Sequence, residues 1–206
     1  MNTQKVSDVI ILMANRMEKE KVRLTELDNA IADGDHGINM ARGFKAVTDK
    51  LPSLAGKDIG TLLKTVGMTL VSAVGGSAGP LYGTAFMRAG MLMANKFEMD
   101  KGDLSLCLQA SIDGIMMRGK AVKGEKTMLD AMIPAFDAYS QAIESGKSAK
   151  DAMSDAIDAA WQGVEYTKTI AATKGRASYI GARSIGFEDP GAVSFTCLME
   201  EIYAAL

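Results

Sequence analysis

SAKDAMSDAIDAAWQGV, residues 148–164, is the stretch with the most regular apolar pattern in the chain. Its apolar residues recur at helical spacing, at Ala149, Ala152, Met153, Ala156, Ile157, Ala160, Trp161 and Val164. Such spacing places the side chains on one face of an α-helix. Ser148 and Asp151 stand at its start with the spacing of a capping box, with Asp in place of the usual Glu. The stretch therefore predicts an amphipathic helix with one buried face.

The same spacing recurs along almost the whole chain. No run of residues alternates with period two, and β-branched residues do not cluster as a strand requires. The pattern predicts eight helices, over residues 3–22, 38–50, 58–74, 80–96, 103–118, 127–145, 148–168 and 190–205. Because the 206 residues contain no low-complexity linker, we expect one all-α domain that spans residues 1–206.

Three further helix starts can be predicted from local motifs. Thr127 and Asp130 have the spacing of a second capping box. Asp189 before Pro190 is typical of an N-cap followed by the first helical residue. Gly79 before Pro80 predicts a helix start in the same way.

Composition excludes several classes of function. The formal net charge is −2 with both signs spread along the chain, which argues against binding nucleic acid or a membrane surface through bulk charge. The apolar runs are far shorter than the roughly 20 residues that a membrane span needs. The first residues do not resemble a signal peptide, so a cytoplasmic location is expected. Cys107 and Cys197 lack metal or redox spacing and are predicted to be core residues, and a single histidine excludes zinc sites that need two.

Four glycine-rich segments interrupt the helical pattern. They are DNAIADGDHG (28–37), GGSAGP (75–80), RGKAVKGEKT (118–127) and ATKGRASYIGARSIGFEDPG (172–191). They fall between helices one and two, three and four, five and six, and seven and eight. Alternate connections of an up-and-down bundle lie at the same end. The four segments are therefore predicted to meet at one end of the molecule.

Asp28, Asp33 and Asp35 form an acidic cluster in the first of these segments. Three carboxylates this close repel one another unless a cation or water screens them, and carboxylate oxygen is a preferred ligand of Mg²⁺ and Ca²⁺. An EF-hand does not fit, because counting from Asp33 puts Ile38 and Phe44 where Gly and Glu are needed. A solvated acidic loop is the alternative, but the surrounding residues are small or apolar, which favours a magnesium site.

The other segments offer groups that suit an anion. The N–H groups of a helix N-terminus after GGSAGP can bind phosphate, although a tight turn explains the same glycines. The Asp189-Pro190-Gly191 turn opens another helix, and Lys174, Arg176 and Arg183 lie in the loop before it. Neither a Walker A loop nor a GxGxxG motif is present. Together with the acidic cluster, these groups predict a magnesium–nucleotide or pyrophosphate site.

Four stretches resemble the signature segments of the dihydroxyacetone kinase L subunit, the ADP-binding, phosphotransferase-type component. They are LDNAIADGDHGINMARGF, GMTLVSAVGGSAGPLYGTAF, RGKAVKGEKTMLDA and KGRASYIGARSIGFEDPGA, and the match runs in order from about residue 24 to the end. The spacing DxxxxDxDHGxNM followed by GGxxGPxxGT is highly specific to that family. The resemblance implies an eight-helix antiparallel barrel or bundle with the nucleotide site at one end.

The resemblance also implies a set of site residues. By similarity, Asp28, Asp33 and Asp35 bind two Mg²⁺ that bridge the phosphates of ADP, or of ATP when the site is charged. Transfer would proceed through Mg²⁺ and positioning, with no residue as general acid or base. The nucleotide-binding residues implied by similarity are His36, Gly37, Ile38 and Asn39 along the nucleotide, Ser77 and Ala78 at its phosphates, Gly119 and Met128 at the adenine, and Arg176, Asp189, Pro190 and Gly191 completing the site.

The partners implied are a K subunit that holds dihydroxyacetone and a phosphohistidine protein of the phosphoenolpyruvate phosphotransferase system that recharges ADP. No segment here resembles the K portion, so the K subunit is expected to act in trans. Use of free ATP on a small ketose remains open, as do a non-catalytic module that signals its nucleotide state and a magnesium-dependent phosphohydrolase. The residues do not fix the oligomeric state, and a homodimer is among the states they allow.

Overall fold

Eight α-helices follow one another along residues 1–206, all of which the computed structural model describes. They are α1 (Thr3–Ile31), α2 (His36–Lys50), α3 (Ile59–Ala73), α4 (Ala78–Leu92), α5 (Lys101–Gly119), α6 (Leu129–Glu144), α7 (Ala149–Thr167) and α8 (Pro190–Ala205). Short 3-10 helices lie at Leu51–Leu54, Arg176–Tyr179 and Gly181–Ser184. No strand is present, so the predicted all-α class with eight helices is confirmed.

The end of α1 corrects the sequence prediction most clearly. The helix continues nine residues beyond the predicted end at residue 22, to Ile31, and contains the first four residues of the DNAIADGDHG segment. Leu24, Asp28 and Ile31 extend the buried face that includes Met17, and no glycine or proline intervenes before Gly34. Asp28 is therefore held on a helix rather than in a loop.

Several other boundaries also differ from the prediction: α4 ends at Leu92, four residues early, and α5 begins at Lys101, two residues early. α2 begins at His36, two residues early, and α4 begins at Ala78 after Ser77, so Gly79 and Pro80 lie inside the first turn. Proline is tolerated there because the N–H groups of the first turn have no intrahelical partner. The predicted helix start at Gly79–Pro80 is therefore wrong by two residues.

The predicted caps of α7 and α8 are confirmed. Ser148 Oγ accepts the N–H of Asp151 at 3.1 Å, and Asp189 Oδ2 accepts the N–H of Ala192 at 2.7 Å. At α6 the helix begins at Leu129, later than predicted, and the residue before it has no side-chain cap bond. Thr127 and Asp130 still form the predicted pair, since Asp130 Oδ2 accepts the N–H of Thr127 at 2.8 Å and Thr127 Oγ1 accepts the N–H of Leu129 at 3.2 Å, but the contact spans the turn into α6.

The helices form a closed ring. Each helix packs against the next in the chain, and α8 returns to pack against α1. The helices enclose one core of apolar side chains, with both cysteines buried and unpaired, as predicted. An apolar cavity of about 140 Å³ lies inside the ring. None of the helices has the length and apolar character that crossing a membrane requires.

The close approach of α3 and α4 depends on glycine. A Cβ on Gly67 would lie 2.6 Å from the Gly83 carbonyl oxygen, and a Cβ on Gly83 would lie 2.7 Å from the Gly67 carbonyl oxygen. Gly60 and Gly90, one heptad away on each helix, repeat the arrangement. The two backbones therefore pack directly on each other, which fixes where α4 begins at the end of the bundle.

Candidate functional site

A polar cleft of about 470 Å³ opens at one end of the ring. All four glycine-rich segments contribute to its wall, so the predicted convergence of alternate connections is confirmed. The predicted site residues on the wall are Asp28, Asp33, Asp35, His36, Ser77, Ala78, Gly119, Met128, Arg176, Asp189, Pro190 and Gly191. The cleft has the size of a small-ligand site.

The acidic cluster lies on one side of this cleft. One carboxylate oxygen from each of Asp28, Asp33 and Asp35 lies within 4.8 Å of the others. Asp28 is buried in the last turn of α1, and its Oδ2 accepts the N–H groups of Asp35 at 2.8 Å and His36 at 3.1 Å. This carboxylate therefore fixes the start of α2, and with it the place of Asp35.

Asp33 is held differently. It lies in the turn between α1 and α2, and its Oδ2 forms an ion pair with Arg176 Nη1 at 3.1 Å. Both side chains are partly exposed, at 33% and 60%. An ion pair this exposed contributes little to folding, so the pair brings a cation to the acidic cluster without stabilising the fold appreciably.

His36 connects the acidic segment to α8. Its Nε2 lies 2.9 Å from Ser194 Oγ, and Ser194 Oγ lies 2.7 Å from the Tyr82 hydroxyl. Burial lowers the pKa of His36, and the charges of Asp28 and Asp35 oppose that shift. These hydrogen bonds join α2, α8 and α4 below the cleft. The imidazole of His36 therefore links helices as well as lining the cleft.

Gly37, Ile38 and Asn39, which were predicted with His36 to lie along the nucleotide, are not among the residues that line the cleft. Gly37 is buried against α1, Ile38 is 46% exposed, and Asn39 is buried and accepts a hydrogen bond from Arg42 at 2.7 Å. The N–H groups of Gly37 and Ile38 belong to the first turn of α2, where intrahelical partners are lacking. Contact with a ligand through these residues stays a prediction, and it would have to use the backbone.

The GGSAGP segment lies near the acids. Gly76 has a φ of +63°, in the left-handed region, and a Cβ on it would lie 3.9 Å from Asp35 Oδ1. Ser77 precedes α4 without forming a side-chain cap bond, and both Ser77 and Ala78 line the cleft. The first-turn N–H groups of α4 can therefore receive an anion beside the acidic cluster.

The remaining wall comes from the other two segments. Gly119 ends α5 and Met128 is buried at the start of α6, and both line the cleft. Lys174 lines the cleft, with its Nζ 3.8 Å from Glu125, whereas Arg183 is exposed and outside the wall. Of the three basic residues predicted in the long loop, the structure brings two to the site.

Among the polar residues that sequence reasoning missed, Lys126 and Tyr82 line the cleft, and Ser194 supports it through its hydrogen bonds to His36 and Tyr82. Lys126 is 1% exposed, and burial lowers its pKa while Asp189 and Asp130 oppose the shift. Tyr82 and Ser194 occupy helical positions that are typical of core residues. No local pattern separates Lys126 from its exposed neighbours Lys120 and Lys123 in the same segment.

Asp189 leads to a prediction about pH. Burial raises the pKa of its carboxyl from 3.8 to about 7. A carboxyl with a higher pKa in the folded state binds more protons there, so the free energy of unfolding falls as pH rises between these values. Asp189→Asn keeps the cap acceptor but cannot ionise. Its stability relative to the natural chain should therefore rise between about pH 4.5 and pH 8, by on the order of 2 kcal/mol.

Urea unfolding of both proteins at these pH values measures the effect. Asp158→Asn, at an exposed position on α7, is the control and should follow the natural chain at each pH. The same pH dependence in the natural chain and in Asp189→Asn would contradict the prediction.

Comparison with known proteins agrees with the fold. A family model described as the DAK2 domain matches residues 30–204, which defines the class of this all-α domain. The chain is 44% identical over 186 residues to the PEP-dependent dihydroxyacetone kinase, ADP-binding subunit DhaL, of Escherichia coli strain K12, covering 90% of this chain and 89% of that one. It is 46% identical over 187 residues to the corresponding subunit of kinase 1 of Listeria innocua, covering 89% and 86%.

The chain belongs to the family of ADP-binding L subunits of dihydroxyacetone kinases, which confirms the resemblance of the four segments. The crystal structure of the dihydroxyacetone kinase from C. freundii in complex with AMP-PNP and Mg²⁺ has a TM-score of 0.76 at 24% identity. The match covers 98% of this chain but 34% of that protein, so the chain spans about a third of its length.

Proposed function

We propose that this chain is the phosphotransferase subunit of a dihydroxyacetone kinase, holding ADP, or ATP when charged, with two Mg²⁺ in the cleft. The phosphoryl group passes to dihydroxyacetone on a separate K subunit. A phosphohistidine protein of the phosphoenolpyruvate phosphotransferase system recharges the ADP. The observation that carries the proposal is the meeting of three carboxylates and the first turn of α4 in one cleft.

The carboxylates fit magnesium. Their oxygens lie close enough to share a cation, and they are the hard ligands that Mg²⁺ prefers. Asp28 Oδ2 is engaged with the start of α2, which leaves Oδ1 for a cation. When bound, magnesium neutralises phosphate charge and so lowers the barrier to moving the phosphoryl group. Two ions would balance most of the negative charge that three carboxylates and a diphosphate bring together.

The remaining residues are proposed to position the nucleotide. Ser77 and Ala78, at the start of α4, present backbone N–H groups to the phosphates. This contact uses backbone donors and does not depend on the Ser77 hydroxyl. Gly119 and Met128 offer the apolar surface for the adenine, with the first turn of α2 from His36 to Asn39 along the nucleotide. Arg176, which pairs with Asp33, and the Asp189-Pro190-Gly191 turn complete the site. Phosphoryl transfer needs positioning and charge neutralisation more than a protein base, so none of these residues is assigned as acid or base.

The partners follow from the same arrangement. The cleft opens at the end of the bundle, where an acceptor on another subunit can reach it. Tyr179, three residues after Arg176, is 84% exposed and offers an apolar contact beside the cleft. The match covers most of the length of relatives that are named as subunits, which supports an acceptor-holding partner in trans. The proposed location is the cytoplasm, and a homodimer remains to be tested.

Two measurements test the function. Mass spectrometry of the denatured protein should detect stoichiometric ADP that is lost after dialysis against a magnesium chelator. With a K subunit and dihydroxyacetone, a phosphorylated donor protein should yield a phosphate ester, measured by phosphorus NMR. Ester from ATP alone would indicate direct use of ATP.

Two other outcomes would contradict the proposal. No ester with any donor would favour a non-catalytic signalling module. Release of phosphate from ATP without acceptor would favour a phosphohydrolase.

A further inference from the structure

Lys126 is a buried cation that the proposed mechanism does not use. It lies between α5 and α6, has a φ of +60°, and is only 1% exposed although it lines the cleft. Its Nζ donates hydrogen bonds to the carbonyl oxygens of Thr167 and Phe187, both at 2.5 Å. A buried ammonium in protein requires compensation of this kind.

The two carbonyls lie at opposite ends of one segment. Thr167 is the last residue of α7, and Phe187 lies two residues before the cap of α8. A single ammonium thus fastens both ends of the chain between residues 168 and 189. Two further hydrogen bonds join the two ends of this segment, from the N–H of Gly186 to the Lys168 carbonyl at 2.8 Å and from the N–H of Asp189 to Thr167 Oγ1 at 2.9 Å.

The turn that carries Lys126 is itself fixed from below. Asp130 is fully buried, and its carboxylate accepts the N–H of Gly124 at 2.5 Å and the N–H of Thr127 at 2.8 Å. These bonds hold the residues on both sides of Lys126, so its Nζ has little freedom to move away from the carbonyl oxygens of Thr167 and Phe187. Asp130 and Asp189 are the acidic groups that oppose the lowering of the Lys126 pKa by burial.

A direct phosphate contact is the obvious alternative role for a lysine beside a nucleotide cleft. The geometry disfavours it, because two of the three N–H donors of Nζ are already used by carbonyl oxygens. The segment that these bonds hold carries Lys174, Gly175 and Arg176 to the cleft wall and leads into the first turn of α8. What Lys126 controls is therefore the position of that wall.

We propose that Lys126 is a positioning residue for the nucleotide: by fastening both ends of segment 168–189, it holds Arg176 against the cleft. The inference rests on the proposed function, since it concerns the same site. It differs from a direct contact because the effect of Lys126 should depend on Arg176.

Binding of Mg-ADP, measured by calorimetry on nucleotide-free protein, tests this dependence in a double-mutant cycle. Lys126→Met should weaken binding about tenfold, a loss typical of one buried charged hydrogen-bonding group. Lys123→Met, at an exposed position in the same segment, should bind as the natural chain does. In an Arg176→Ala background, Lys126→Met should cost less than about threefold, because the group it positions is gone.

Hydrogen exchange provides a readout that a direct phosphate contact would not move. In ligand-free Lys126→Met, amides of residues 168–189 should exchange faster while those of α3 and α4 keep their protection. If this variant does not fold, Lys126→Gln, which keeps N–H donors without the charge, undergoes the same measurements and should also loosen the segment.

The outcomes separate this inference from the proposed function. Unchanged affinity in Lys126→Met, a full tenfold loss also in the Arg176→Ala background, or unchanged exchange of residues 168–189 would each overturn the positioning role. None of these outcomes bears on the proposed function, which would instead fail if the natural chain itself bound no Mg-ADP.

Discussion

Asp33→Ala is expected to abolish retention of Mg-ADP, with affinity reduced by at least about 100-fold, and to leave the helical fold intact. The structure explains why this acid is the one to change. Asp28 also fixes the start of α2 through two backbone N–H groups, so its loss would disturb folding. The side chain of Asp33 contacts only Arg176, in a partly exposed ion pair. Its removal therefore takes away a proposed magnesium ligand at little cost in stability.

Calorimetric titration with Mg-ADP and thermal melting by circular dichroism measure the two effects. The melting temperature should stay within about 2 °C of that of the natural chain. Glu26→Ala removes an exposed acid from the same region of α1 and serves as the control, with affinity unchanged. If Asp33→Ala bound Mg-ADP as tightly as the natural chain, the proposed metal site would be wrong. A much lower melting temperature would show that the Asp33 side chain has a structural role that its contacts do not reveal.

Gly37→Ala is expected to destabilise the protein by about 2–3 kcal/mol, lowering the melting temperature by roughly 5–10 °C. A Cβ at this position would overlap the Lys21 carbonyl oxygen and lie 2.8 Å from the Thr25 backbone nitrogen. Both atoms belong to the backbone of α1, which cannot move aside as a flexible side chain can. The start of α2 would have to shift, and Asp35 and His36 would shift with it. Weaker binding of Mg-ADP should accompany the loss of stability.

Gly102→Ala is the matched control, because it lies near the start of α5 with only the Asp100 carboxylate oxygen, at 3.3 Å, near the added Cβ. It should be neutral or stabilising by up to about 1 kcal/mol. Thermal melting in the absence of nucleotide shows whether Gly37 is needed for helix packing or for the approach of the ligand. A loss of affinity with full stability would mean that the glycine serves ligand approach rather than helix packing.

Most of the fold follows from local patterns. Seven of the eight helices end close to where apolar spacing and glycine place their ends, because a helix that buries one face repeats its side chains every three or four residues. α1 is the exception. Its last nine residues run into the acidic DNAIADGDHG segment, and only packing against α2 shows that Leu24 and Ile31 continue the buried face.

The site divides in the same way. The acidic cluster and the glycine-rich segments are visible in the sequence because their chemistry is concentrated in short stretches. The supporting groups are not, since Lys126 finds its partners 41 and 61 residues away, and His36 finds Ser194 at a separation of 158 residues. Contacts at such separations leave no local pattern.

The amino-acid sequence alone determined the helical class, the family and the clustering of Asp28, Asp33 and Asp35, because helix periodicity and the chemistry of a short segment are properties of neighbouring residues. The tertiary structure decided that Asp28 belongs to a helix, that Gly37 packs against α1 instead of facing the cleft, and that Lys126 binds both ends of segment 168–189. Each of these depends on which backbone groups the folded chain brings within hydrogen-bonding distance, and only the packing of the helices sets that.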